Sequence, residues 1–159
     1  MNLRPITQAD WSYILDIQLE CYPQIEPESL AVLQSKWLAS PESCFIIEAD
    51  NSIIGYCLAH PWHLDNPPSL EQQLARIDHA NTLYLHDIAL STKAQGKGAG
   101  KQALTKLIGF ANTNNYPSIS LVAVQGAHLY WGKQGFIAKQ INKDLSAYPE
   151  DARYMVYTL

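Results

Sequence analysis

The sequence predicts an α+β fold, with helices on both faces of a mixed central sheet. Short runs rich in β-branched and aromatic residues alternate with segments whose apolar residues recur at helical spacing. The strand-rich order with interspersed helices favours a mixed sheet over a purely parallel one. No repeat, low-complexity tract or linker interrupts the chain, and 159 residues suit one domain, so we expect a single domain over residues 1–159.

The N-terminal half is predicted to contain one strand, two helices and a hairpin. Thr7 and Asp10 have the spacing of a capping box ahead of the first helix. A polar connection with one helical turn near residues 69–76 is expected to follow the hairpin. The predicted elements are a strand at 2–6, a helix that ends near Cys21, a helix that begins at Pro27–Glu28 and ends near 40–43, and a hairpin at 44–60.

The C-terminal half is predicted to alternate strands and helices. Leu104, Leu107, Ile108 and Ala111 are spaced as the buried stripe of a helix. The predicted elements are a strand at 82–90, a helix from Gly98 to about Asn112, a strand at 118–124, a short helix at about 127–134 and two closing strands within 135–141 and 152–159.

Charge is divided unevenly along the chain, whose net charge is −4. The segment from Ile88 to Lys143 holds seven lysines and no Asp or Glu, whereas residues 1–87 hold twelve acidic and three basic side chains, a net −9. We call residues 88–143 the acid-free segment. This division predicts an anionic ligand for the C-terminal half and a cationic one facing the N-terminal half.

Composition also limits the classes of protein to consider. No run of about 18 apolar residues is present, so no membrane-spanning helix is expected. The first residues lack the apolar core of a signal peptide, and three widely spaced cysteines do not form a disulfide framework, so we expect a cytoplasmic protein. An acidic chain argues against nucleic acid as a partner.

Residues 95–100, QGKGAG, form a glycine-rich stretch between a predicted strand and a predicted helix; we call it the glycine loop. Such a loop brings free backbone amides and the positive end of a helix toward an anion. It does not fit a P-loop, because Lys101 stands where the second glycine is required. A dinucleotide fingerprint matches loosely through Gly98, Gly100 and Ala103, but the next strand lacks the acidic residue that would bind a ribose.

Three stretches together resemble the GNAT superfamily of acyl-CoA-dependent N-acetyltransferases. The glycine loop is similar to the pyrophosphate-binding loop of that superfamily, LHDIAL (85–90) precedes it at the right distance, and AHLYWGKQGF (127–136) is similar to a later motif. The motifs cover residues 82–136, and the order of elements matches over nearly the whole chain. The resemblance implies a three-layer sandwich of about six or seven strands, in which the parallel strands 82–90 and 118–124 splay apart.

The resemblance implies acetyl-CoA as co-substrate, with its pantetheine arm in the gap between the splayed strands and its pyrophosphate on the glycine loop. Lys97 and Lys101 would add positive charge there. The residues implied for acetyl-CoA are Ile88, Ala89, Leu90, Gln95, Gly96, Lys97, Gly98, Ala99, Gly100, Lys101 and Trp131.

Acetyl transfer to an amine needs a base for the ammonium and benefits from an acid for the leaving thiolate. His86 is the candidate base, because histidine exchanges protons near neutral pH and some amine-acetylating members have histidine at the matching place. Strand alternation predicts Tyr84, His86 and Ile88 on one face and Asp87 on the other. Trp131 stands where the resemblance places the usual tyrosine acid. Either the neighbouring Tyr130 is the acid, or another tyrosine serves, or the thiolate leaves without a dedicated acid.

The predicted activity is therefore transfer of an acetyl group from acetyl-CoA to a primary amine of a small molecule, peptide or protein. Trp62, His63 and Asp87 are candidates for the acceptor site, and no metal is expected. The alternatives are a non-catalytic acyl-CoA sensor or scaffold and a dinucleotide-binding oxidoreductase. A homodimer is compatible with the resemblance.

Overall fold

The computed structural model describes all 159 residues and has one seven-stranded sheet in the order β1-β2-β3-β4-β5-β7-β6. This confirms the predicted α+β class. The strands are β1 Asn2–Pro5, β2 Phe45–Ala49, β3 Ser52–Trp62, β4 Thr82–Leu90, β5 Ser118–Ala123, β6 Ile137–Ala138 and β7 Arg153–Thr158. The helices are α1 Trp11–Cys21, α2 Leu30–Ala39, α3 Ala99–Thr113 and α4 His128–Lys133.

The sheet is mixed because one pair of neighbouring strands is parallel. All other neighbours are antiparallel, whereas β4 and β5 run in the same direction and pair only at Leu83–Ile119 and Tyr84–Ser120. Beyond Tyr84 no register continues between them, so the rest of β4 has β3 as its only strand neighbour. The predicted splay of these two strands is confirmed.

A hydrophobic core lies on each face of the sheet, which makes three layers. Ile14 of α1 and Leu33 of α2 pack against the face that carries Ile46, Tyr56 and Leu58. The opposite face packs against α3, whose buried side chains include Ala103, Leu104, Leu107 and Ala111. Sheet strands with buried faces on both sides hold their backbone rigidly, and the cleft described below opens in this rigid region.

Three predicted boundaries differ from the structure. The polar connection at 69–76 contains no helix, and the strand expected within 135–141 is only Ile137–Ala138. The second helix begins at Leu30 and not at Pro27–Glu28, because Ser29 is extended and its hydroxyl accepts a hydrogen bond from the Val32 amide. Glu28 therefore stays in the loop before α2, where its side chain is buried. No helix is long and apolar enough to span a membrane.

An ion pair between Arg4 of β1 and Asp10 links the first strand to the start of α1. The two guanidinium nitrogens lie 2.8 Å from the two carboxylate oxygens, and the Thr7 amide donates to the same carboxylate at 2.7 Å. The predicted pairing of Thr7 with Asp10 is thus present. The hydrogen bonds from Arg4 outweigh burial and lower the pKa of Asp10 to about 2.

We expect Asp10→Asn to lower the free energy of unfolding by roughly 1–2 kcal/mol at pH 7, because the ionised carboxylate is favoured in the folded state. A carboxyl group with a depressed folded-state pKa stabilises above its unfolded pKa and loses that effect as pH falls toward the folded value. The difference between wild type and variant should therefore shrink from pH 4 toward pH 2. Urea denaturation across this range measures it, with the exposed Asp16→Asn as control; a difference independent of pH would contradict this account.

Candidate active site

A cleft of about 660 Å³ opens where β4 and β5 diverge. Its walls come from the ends of both strands, from the glycine loop with the first turn of α3, and from α4. The sequence-predicted residues that line it are His86, Asp87, Ile88, Ala89, Leu90, Gln95, Gly96, Gly98, Ala99, Gly100, Lys101, Tyr130 and Trp131. The fold therefore brings most of the proposed cofactor residues to one cavity.

The glycine loop forms one end of the cleft. Gly96 and Gly98 have φ angles of 74° and 69°, in the left-handed region that glycine adopts without strain. Gly98 lies directly before α3. The first amides of a helix have no intrahelical partner, and no side chain caps them here. Lys101 lines the cleft beside them, whereas Lys97 does not; its ammonium pairs with Asp50 at 3.3 Å. The contribution of Lys97 to cofactor binding stays a prediction.

Tyr130 also lies at the glycine-loop end of the cleft. A Cβ on Gly100 would be 2.8 Å from the Tyr130 hydroxyl, so this hydroxyl lies directly over the first turn of α3. The neighbouring Trp131 ring contacts Tyr130 edge-on at 5.0 Å between centroids and packs on Phe136 at 5.3 Å. Both side chains thus line the part of the cleft nearest the helix terminus.

His86 and Asp87 lie at the other end of the cleft, at a bulge in β4. Leu58 of β3 pairs with Asp87 and Ala59 pairs with Leu85, so His86 has no partner in the register. The extra residue cancels the alternation of sides. Asp87 therefore contacts Tyr56 of the α1/α2 core, while His86 contacts Glu28 of the loop between the same helices. The prediction that His86 and Asp87 face opposite sides of the sheet is wrong for this reason.

Asp87 is held by two tyrosine hydroxyls. Tyr56 donates to one carboxylate oxygen at 2.6 Å, and Tyr22, which follows α1, donates a short hydrogen bond to the other. Burial raises the pKa of Asp87, and the charge of His86 and the two tyrosine hydrogen bonds oppose that rise. Burial likewise raises the pKa of Tyr22 well above the usual value for tyrosine.

His86 belongs to a buried charged cluster with Glu28 and Lys36. His86 Nε2 lies 2.7 Å from one Glu28 carboxylate oxygen, and the Lys36 ammonium lies 3.8 Å from the other. Burial favours the neutral form of Glu28, but the charges of His86 and Lys36 and hydrogen bonds from His86 and the Glu71 amide lower its pKa to about 2. Burial lowers the pKa of Lys36, although Glu28 partly offsets this.

A smaller pocket, which we call the side pocket, adjoins the cleft at this end. Tyr22, His86, Asp87, Val122 and Val124 line both cavities. The further residues of the side pocket are Gln18, Ile25, Glu26, Pro27, Glu28, Leu70, Tyr84, Tyr148 and Pro149. A molecule in the side pocket would therefore reach the cleft between His86 and Asp87.

Trp62 and His63 line neither of these two cavities, and their place in the acceptor site stays a prediction. Trp62 pairs with Thr82 at the far end of the β3–β4 ladder, and its indole donates to the Asn66 carbonyl at 2.8 Å. The β3 strand runs on through Trp62 and carries both side chains away from the bulge. No group of three or more His, Cys, Asp or Glu side chains is arranged to hold a metal ion.

Sequence reasoning missed Glu28 and Lys36 as site residues. A signal was available for Lys36, because it falls on the same helical stripe as the buried Val32, Leu33 and Ala39. A lysine on an apolar stripe implies a buried anionic partner. Nothing local identified that partner as Glu28, since the contact depends on how the loop before α2 crosses the sheet.

A family model for the acetyltransferase (GNAT) family matches residues 11–136, and no curated protein matches the sequence. The loading GNATL domain of CurA from Lyngbya majuscula superposes with a TM-score of 0.81 at 15% identity, over 99% of this chain and 96% of that one. At such identities a structural likeness shows the fold alone.

Two further solved structures resemble the chain over 99% of its length. A GNAT family acetyltransferase from Elizabethkingia anophelis with acetyl-CoA bound has a TM-score of 0.69 at 20% identity, over 97% of that chain. The GNAT-like decarboxylase GphF in complex with isobutyryl-CoA has a TM-score of 0.80 at 11% identity, over 99% of that chain. Proteins of this fold therefore include one that is not an acetyltransferase.

We expect Gly55→Ala to destabilise the β4 side of the cleft. A Cβ at Gly55 would lie 2.8 Å from both the Ala89 carbonyl oxygen and the Leu90 side chain, so β3 and β4 would have to move apart. Overpacking of this kind costs about 1–3 kcal/mol. Gly109→Ala on α3 meets open space and should raise stability by about 0.5–1 kcal/mol. Denaturant unfolding measures both; no loss for Gly55→Ala would contradict this close approach.

Proposed function

The chain belongs to the acetyltransferase (GNAT) family, and we propose that it transfers the acetyl group of acetyl-CoA to a primary amine. The observation that carries the proposal is the layout of the cleft. One end is a helix terminus with free amides, and the other end joins the side pocket between His86 and Asp87. Such a layout suits an anionic carrier along the cleft and an acceptor that meets it at the bulge.

We assign the glycine loop and the start of α3 to the pyrophosphate of acetyl-CoA. Free amides and the helix dipole favour an anion there, and Lys101 adds a positive charge. Lys97 would contribute only by leaving Asp50. The acid-free segment supports the assignment, because it spans the end of β4, the loop and α3, where an acidic residue would repel the phosphates.

We assign the parted edge of β4, at Ile88, Ala89 and Leu90, to the pantetheine arm. This edge pairs with no strand on the β5 side, so its backbone groups can bind an extended ligand as an added strand would. The arm would carry the thioester from the glycine loop toward the bulge. Backbone amides near Ile88 and Ala89 are the donors proposed to polarise the thioester carbonyl.

His86 is the proposed general base. An ammonium group has no lone pair, so a base must remove its proton before nitrogen can attack the carbonyl carbon. His86 lines both the cleft and the side pocket, where an amine would approach. The ammonium gives one proton to His86 before attack, and attack then forms the carbon–nitrogen bond and breaks the carbon–sulfur bond. The sulfur takes a proton from an acid, and the second proton that nitrogen loses as the amide forms restores that acid.

Tyr22 suits the role of that acid better than the sequence candidate Tyr130. The Tyr22 hydroxyl lies at the bulge, bonded to Asp87, whereas the Tyr130 hydroxyl lies over Gly100 at the pyrophosphate end. We therefore propose that Tyr22 protonates the thiolate and that Tyr130 contacts the cofactor near its phosphates. Asp87 positions Tyr22 in this scheme.

The acceptor amine is proposed to enter through the side pocket and not past Trp62 and His63. Glu26 lines this pocket together with the aromatic rings of Tyr84 and Tyr148. A carboxylate and aromatic faces favour a cationic group, which agrees with the net negative charge of residues 1–87. The proposed acceptor is therefore a primary amine of a small molecule, peptide or protein.

Three other functions would give different outcomes in one experiment. A sensor or scaffold would bind acetyl-CoA without turnover. A dinucleotide-binding oxidoreductase would need a doubly wound parallel sheet, whereas only β4 and β5 are parallel neighbours here. A decarboxylase related in fold would release carbon dioxide from an acyl-CoA and need no amine.

We expect acetyl-CoA to raise the melting temperature selectively, with NADH and ATP as comparison ligands. A ligand at a hundred times its dissociation constant stabilises the native state by about 2.7 kcal/mol. Release of free CoA thiol should then require an amine, tested with a diamine, an arylalkylamine and a peptide with a free N-terminus. Binding without amine-dependent thiol release would support the sensor, and a response to NADH alone would contradict the proposal.

We expect His86→Gln to lower kcat by about 10²-fold while acetyl-CoA binding stays intact, because the base is lost and the glycine loop is not touched. His79→Gln, an exposed histidine outside both cavities, is the matched control. Steady-state thiol release and the acetyl-CoA melting shift are the two measurements. Equal activity of the two variants would exclude His86 as the base.

Tyr22→Phe and Tyr130→Phe should distinguish the roles of the two tyrosine hydroxyls. We expect Tyr22→Phe to lower kcat by about 10²-fold, because it removes the proposed acid at the bulge. Tyr130→Phe should change mainly the KM for acetyl-CoA, because its hydroxyl lies at the pyrophosphate end. Steady-state kinetics with both substrates varied makes the distinction; the opposite pattern would return the acid role to Tyr130.

A further inference from the structure

A buried chain of charges stands behind the proposed base. We propose that Glu28 and Lys36 are positioning residues: Glu28 holds the His86 ring with a proton on Nε2, and Lys36 balances the charge of Glu28. This inference rests on the acetyl transfer proposed above. It concerns two residues that lie outside the glycine loop and outside the motifs of the resemblance, in the loop before α2 and in α2 itself.

The geometry is that of a chain with Glu28 in the middle. One carboxylate oxygen lies 2.7 Å from His86 Nε2, and the other lies 3.8 Å from Lys36 Nζ and 3.4 Å from the Glu71 amide. The exposed fractions of the side chains are 9% for Glu28, 11% for His86 and 1% for Lys36. Screening by solvent is weak at such burial, so each charge acts strongly on its neighbour.

Glu28 determines which ring nitrogen of His86 can act as the base. An ionised carboxylate beside Nε2 requires a proton on that nitrogen, so the lone pair of the neutral ring lies on Nδ1. His86 lines both cavities, so an amine in the side pocket can reach the ring. The proton of the acceptor would therefore go to Nδ1, and the ring would not need to turn during the reaction.

The stability of the fold does not explain why the Lys36 side chain is buried. Its ammonium is buried and has only Glu28 at 3.8 Å and the Gln72 carbonyl at 3.5 Å as partners. Replacement of a buried ion pair by apolar side chains of similar size is often neutral or stabilising, so packing alone would favour an apolar residue there. The ammonium offsets the charge of Glu28 and so keeps His86 able to release its proton after each turnover.

Other titratable groups also act on His86. Asp87 is adjacent on β4 and is held by Tyr22 and Tyr56. The remaining groups around the side pocket and the cluster are Glu26, His60, Glu71, Tyr84 and Tyr148. The variants used below leave all of these groups in place, so a difference between those variants measures the effect of the Glu28 and Lys36 charges.

Two substitutions should move the pH dependence in opposite directions. Glu28→Gln keeps an oxygen for Nε2–H but removes the negative charge, so the acid limb of the kcat profile should move to lower pH by about one unit. Lys36→Met removes the positive charge and keeps the bulk, so the acid limb should move to higher pH by about half a unit. Glu42→Gln, an exposed glutamate paired with Arg76, is the matched control and should move nothing.

A readout independent of activity keeps this inference separate from the proposed function. The ring proton resonances of His86, assigned by their absence in His86→Gln, can be titrated by NMR in the unliganded protein. Their midpoint should fall in Glu28→Gln and rise in Lys36→Met. If this holds but no amine is acetylated, the charge chain stands and the acetyltransferase proposal fails.

A purely structural role for the cluster gives a different result. Both variants would then lose stability and kcat, and their titration midpoints would move together or not at all; that outcome overturns the inference. Lys36→Gln serves as the second variant if Lys36→Met does not fold, and thermal unfolding monitors all of them. Glu28→Ala, which also removes the oxygen that orients the ring, should lower kcat more than Glu28→Gln at the optimum pH of each.

Discussion

The parting of β4 from β5 after Tyr84 is the constraint on which the rest of the site depends. Two parallel neighbours that paired to their ends would satisfy each other's backbone groups and leave no cavity. Here pairing stops after two residue pairs, and the cleft opens directly beyond them. The sheet is covered on both faces, by α1 and α2 on one side and α3 on the other.

The bulge at His86 brings titratable side chains to the edge of this gap. A regular strand would direct neighbouring side chains to opposite faces, whereas the extra residue brings His86 and Asp87 to the same side. Each then meets different partners from the N-terminal half: Tyr22 and Tyr56 bind Asp87, and Glu28 binds His86. The two ends of the cleft thus have different characters, with free amides at the glycine loop and buried side-chain charges at the bulge.

Close pairing with neighbouring groups offsets the cost of burying charged side chains near the bulge. Glu28 stays ionised because His86 and Lys36 outweigh the cost of burial, while Asp87 has hydroxyl partners and keeps a raised pKa. Neighbouring carboxyl groups with opposite pKa shifts mark a site where proton transfer is controlled. The family match covers residues 11–136, which include both the glycine loop and the bulge.

The sequence by itself determined the order of strands and helices, the glycine loop and the acid-free segment, because these are local patterns of residue type and spacing. It also indicated His86, Ile88 and the loop glycines as neighbours in one cleft. Only the tertiary structure decided the side on which His86 faces, since a register shift between β3 and β4 leaves no mark in the alternation. It alone joined Glu28 and Lys36 to His86 and placed Tyr130 over Gly100. The contact between Glu28 and His86 depends on how the loop before α2 crosses the sheet, and no local pattern specifies that path.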